Sequence, residues 1–133
     1  MNLPAPEEAR ALSDPTESQI FNAAKQDVWK ATKVALTNNG FTIEKEEGDF
    51  IFATEPIAAR NWSWDYTAGI YLFDESPGTR VSIVVNGAPD VFMPLTLGLS
   101  YVTQAAEAKQ IRIQLFNSIR ATILEGKVSQ PRS

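Results

Sequence analysis

The chain has 133 residues, which suits one domain, with 44% hydrophobic and 21% charged residues. Its net charge is −4, and its 12 basic residues form no run, which argues against nucleic acid as a partner. The absence of cysteine removes disulfides, thiolate catalysis and the common structural zinc sites, and the absence of histidine removes Ser-His-Asp and Cys-His arrangements and the readiest proton carrier near neutral pH.

Residues 1–17 contain Pro4, Pro6, Pro15 and several acids. They read as a flexible N-terminal arm with a short helical turn at Glu7–Leu12. The start of the chain lacks the charged opening and apolar run of a signal peptide. The expectation is a cytoplasmic protein or a chain whose signal is missing. Ser18–Ala23 makes a first strand centred on Ile20. Lys25–Asn38 follows as a helix, because Val28, Ala31 and Ala35 share one face, widened by Trp29, Thr32 and Leu36. Gly40 stops it.

Phe41–Glu46 and Phe50–Thr54 form a hairpin around Glu47-Gly48-Asp49. Asn61–Phe73 is the longest alternating run, with Trp62, Trp64, Tyr66, Ala68, Ile70 and Leu72 on one side. After a turn at 74–79, Arg80–Val85 points Val81, Ile83 and Val85 inward. Asn86–Asp90 breaks the chain. Val91–Val102 reads as either a further strand or an apolar loop, since Pro94 and Gly98 suit neither a central strand nor a helix. Thr103 caps a last helix over 104–125, with Ala108, Ile111, Leu115 and Ile119 as its stripe and Gly126 as its stop. Lys127–Ser133 is a polar, disordered tail. The predicted fold is α+β: an antiparallel sheet of about four to five strands, two helices on one face, in the order β-α-β-β-β-β-α, within one domain over 18–126.

Trp62, Trp64 and Tyr66 have two readings, a platform for a ligand or partner and a strand face packed under a helix. Arg60, Asn61 and Asp65 would rim the platform. Val91, Phe92, Met93 and Leu95 are the second candidate surface, since contiguous exposed apolar residues mark contacts; folding over the sheet edge is the alternative. Glu44, Glu46, Glu47 and Asp49 lack calcium-loop spacing and read as a solvated hairpin tip. Asp65, Asp74, Glu75 and Asp90 show no spacing that favours carboxylate hydrolysis. No phosphate or dinucleotide loop is present, so no cofactor is expected, and no metal.

Ile20–Ala31, Asn39–Lys45 and Asp49–Thr54 join a strand, a helix opening on Val28-Trp29, a Gly40-Phe41 exit and an acid-rich hairpin. This stretch resembles small bacterial envelope lipoproteins of the BamC type, and less closely START-like ligand-binding domains, which are usually longer. The resemblance covers about residues 18–55 and the order of elements after them. It implies a helix-grip architecture, in which a long final helix lies across an antiparallel sheet, and it offers no catalytic residues. No lipobox cysteine is present, so a lipid anchor would have to lie outside this chain.

The functional expectation is a non-catalytic binding or scaffold domain in a bacterial cell envelope, in the periplasm or against the outer membrane, making protein–protein contacts; the cytoplasm is the alternative compartment. The rival function is a helix-grip carrier of a small apolar ligand, with a pocket lined by Trp62, Trp64, Ile83 and Leu115. No run approaches the ~18 apolar residues of a membrane span.

Overall fold

The computed structural model describes residues 3–56, 65–88 and 97–129. The elements are α1 (Pro6–Arg10), β1 (Ser18–Phe21), α2 (Lys25–Asn38), β2 (Thr42–Glu47), β3 (Phe50–Glu55), β4 (Asp65–Glu75), β5 (Gly78–Ala88) and α3 (Leu97–Ser129). The five strands form one antiparallel sheet in the order β1-β5-β4-β3-β2. The architecture is α+β and helix-grip-like, with α2 and the long α3 on one face.

Strand alternation builds that face. Ile51 and Ala53 of β3 lie beside Ala68 and Ile70 of β4, and these beside Ile83 and Val85 of β5. All are buried, with Leu72 and Val81 continuing the layer. Ala31, Ala35 and Leu36 of α2, with Ile111, Leu115 and Ile119 of α3, complete the same core. A buried aliphatic side chain contributes about 1.5–3 kcal/mol, so this layer is the main source of stability. The end of α2 is set by Gly40 at φ 88°. The Phe41 amide donates to the Leu36 carbonyl and the Gly40 amide to that of Thr37, a Schellman closure.

Several expectations are corrected. Residues 3–17 are seated on the back of the sheet and do not hang free as an arm. Ala9 is fully buried, and its carbonyl accepts from the Ser82 hydroxyl at 2.7 Å. The Tyr71 hydroxyl donates to the Pro4 carbonyl at 2.8 Å. Leu3 drops into a hole at Gly69, where a Cβ would come within 2.8 Å of its Cδ2. The sheet is thus covered on both sides, which accounts for the apolar residues on both faces of β4. In β1 the inward residue is Phe21, stacked on Phe116 at 6.3 Å, while Ile20 is 47% exposed. The expected break at Asn86-Gly87-Ala88 is the continuation of β5.

The last helix begins at Leu97, six residues before the expected Thr103 cap. Leu97–Val102 is therefore neither strand nor loop; alternating leucines imitate a strand, and Gly98 falls in the first turn, where helices tolerate it. Gly126 does not stop α3, which continues to Ser129 through part of the expected tail. Among the described residues, no helix is long and apolar enough to cross a membrane.

Candidate functional site

Tyr66 is the one residue of the expected partner surface that falls among the described residues. It is 1% exposed, so it belongs to the core. Inward alternation on β4 puts it under α3, where its hydroxyl donates to Glu107 Oε1 at 2.6 Å. Glu55 faces it across the β3–β4 ladder and is also buried. Beside them, Gln104 Nε2 donates to the Gly87 carbonyl at 2.8 Å. Burial first, then the Glu107 hydrogen bond and the nearby negative charge of Glu107 and Glu55, push the Tyr66 pKa far above its ordinary value. Trp62, Trp64, Val91, Phe92, Met93 and Leu95 lie outside the described residues, as do Arg60, Asn61 and Asp90. Ile83 and Leu115, expected to line a ligand pocket with the two tryptophans, are fully packed members of the core.

Several of the acids considered for chemistry are held by local bases. Asp74 and Asp49 share Lys25, each at 3.1 Å. Glu75 pairs with Arg80, whose guanidinium holds the carboxyl below the usual carboxylate range. At the hairpin, Lys33 reaches Glu46 at 3.1 Å and Lys45 reaches Glu47 at 2.9 Å, while Glu44 accepts from Thr54. Among the described residues, no three potential ligand side chains gather to hold a metal.

A cavity of about 220 Å³ opens between α2 and α3, away from the residues singled out in the sequence. Asp27, Lys30, Ala31 and Val34 line its α2 side at the spacing of one helical stripe. Thr122, Ile123 and Gly126 line its α3 side, with Ala23 at the entry to α2. Its origin is side-chain size. Ala23 and Ala31 face Gly126, where an added Cβ would meet nothing within 4 Å. Two helices that pack closely lower down, around Ala35 and the Asn39–Ser118 hydrogen bond of 2.9 Å, therefore leave a gap at this end. The walls are mainly aliphatic, and the two charges sit on exposed side chains. Such a half-open apolar hollow with few polar groups suits a small apolar group and contains no nucleophile–base pair. The only sequence signal for it is a pairing of small residues about a hundred positions apart.

No protein-family model matches the chain, and no curated protein matches it significantly. Solved structures do match. TTHA0849 of Thermus thermophilus is 12% identical, with a TM-score of 0.55 over 85% of this chain and 97% of that one. Ara h 8.0201, also 12% identical, gives 0.48 over 82% of this chain and 95% of its own. At such identity, the likeness to TTHA0849 is one of fold alone.

Proposed function

We propose that the chain is a non-catalytic binding domain that takes a small, largely apolar ligand between α2 and α3. The observation that carries this reading is the 220 Å³ hollow with aliphatic walls. Ligand sites are concave, mostly apolar and furnished with a few polar groups. Its volume lies below the roughly 300 Å³ at which drug-sized sites begin, so the ligand is small. The lack of histidine and cysteine, and the ion pairs that hold Asp49, Asp74 and Glu75, support binding over catalysis.

Titration of the isotope-labelled chain with isopentyl alcohol tests the reading by NMR. Amide shifts are expected at Ala31, Ile123 and Gly126, saturating with concentration. Gly126 lines the hollow and has room for a Cβ, with no atom within 4 Å of it, so Gly126→Leu should obstruct the hollow and abolish those shifts while the spectrum stays folded. Shifts that are absent from the wild type, or that persist in Gly126→Leu, refute the site.

A further inference from the structure

We infer that the ligand of the α2–α3 hollow is a zwitterion with an apolar body, of the size and class of a free α-amino acid with an aliphatic side chain. This rests on the reading of the hollow as a binding site and specifies what enters it. Asp27 and Lys30 both line the hollow. They stand three residues apart on α2, a spacing at which opposite helix charges commonly pair. Yet neither is in an ion pair, with the other or with any other described residue. The neighbouring lysines of the same helix behave differently. Lys25 reaches two carboxylates at 3.1 Å and Lys33 reaches Glu46 at 3.1 Å.

The rim therefore presents one positive and one negative charge beside an aliphatic floor. A simple fatty acid would satisfy Lys30 and be repelled by Asp27. A simple amine would do the reverse. A molecule with an ammonium and a carboxylate on one carbon answers both, and its side chain fills the space beside Ala31 and Ile123. Both rim charges are exposed, so water screens them and they select among ligands more than they add affinity. A Kd on the order of 1 mM is expected.

Four probes that share one isobutyl group separate the possibilities in titrations of the chain: leucine, N-acetyl-leucine, leucinamide and isopentyl alcohol. The inference expects leucine to shift the amides of Ala31, Ile123 and Gly126 with an affinity about fivefold above each singly charged probe. Asp27→Asn should reduce leucine to the level of N-acetyl-leucine, and Lys30→Gln to that of leucinamide. Both substitutions are at exposed positions, and folding is checked on the same spectra. If all four probes bind alike, or leucine binds as well to both variants, the inference is overturned while the apolar site stands. If no probe moves these amides, site and inference fall together.

Discussion

Tyr66 joins the sheet to α3 through one buried hydroxyl, and its energetics are open to test. Tyr66→Phe removes the donor to Glu107 and should cost about 1–2 kcal/mol, read from the urea midpoint. Its raised pKa also has a sign. The phenol titrates at 10.0 when free and higher in the fold, so the stability it adds is complete below pH 10.0. That stability is lost as pH climbs above this value towards the folded pKa. Tyr71, raised by burial, and Lys25, raised by its two carboxylates, act in the same direction. The thermal midpoint should fall between about pH 9 and about pH 11, and fall less in Tyr66→Phe. A backbone counterpart is Gly78, where a Cβ would stand 1.9 Å from the Phe21 carbonyl oxygen. Gly78→Ala must push β1 away, at an expected cost of about 2–4 kcal/mol in the same assay. The inward direction of Tyr66 is legible in the period-two run of β4. Its partner Glu107, 41 residues on, is not, because nothing local in the sequence records which turn of α3 lies overhead.

At the scale of elements, local periodicity serves α2 and the inward faces of β3, β4 and β5 well, because each gives one regular stripe to the core. It fails where a second cover intervenes. The segment before β1 looks like a frayed terminus because its polar anchors are backbone carbonyls, which any sequence has: those of Pro4 and Ala9, which accept from the Tyr71 and Ser82 hydroxyls. Ser82→Ala leaves the buried Ala9 carbonyl with only the long 3.4 Å bond from the Leu12 amide and should cost about 0.5–1.5 kcal/mol. Hydrogen exchange should show the amides of α1 opening ahead of those in β4, since a five-residue helix has little stability apart from its docking. The start of α3 is hidden for a different reason: leucines at alternate positions satisfy a strand template as readily as a helix. At its other end, Gly126→Ala should raise stability by up to about 1 kcal/mol, because a glycine inside a helix costs that much and its surroundings are open.

For the whole molecule, antiparallel strands joined by short turns and two amphipathic helices are enough to indicate the α+β class with both helices on one face, while the helix-grip arrangement is what the family resemblance implies. The strand order is not legible, because β1 has no nearby sequence partner. It lies at the sheet edge against β5, where Ser18 and Ser82 meet at 3.1 Å although 64 positions separate them. The hollow is equally out of reach, since it is the space two helices leave and not a property of either. One kinetic result follows from the edge pairing. On the ribosome, β1 and α2 emerge well before the strand that receives them, so the sheet's edge stays open until translation has passed Ala88. Refolding of the complete chain should accordingly fall in the millisecond-to-second range of domains governed by non-local pairing, slower than helical bundles of equal length.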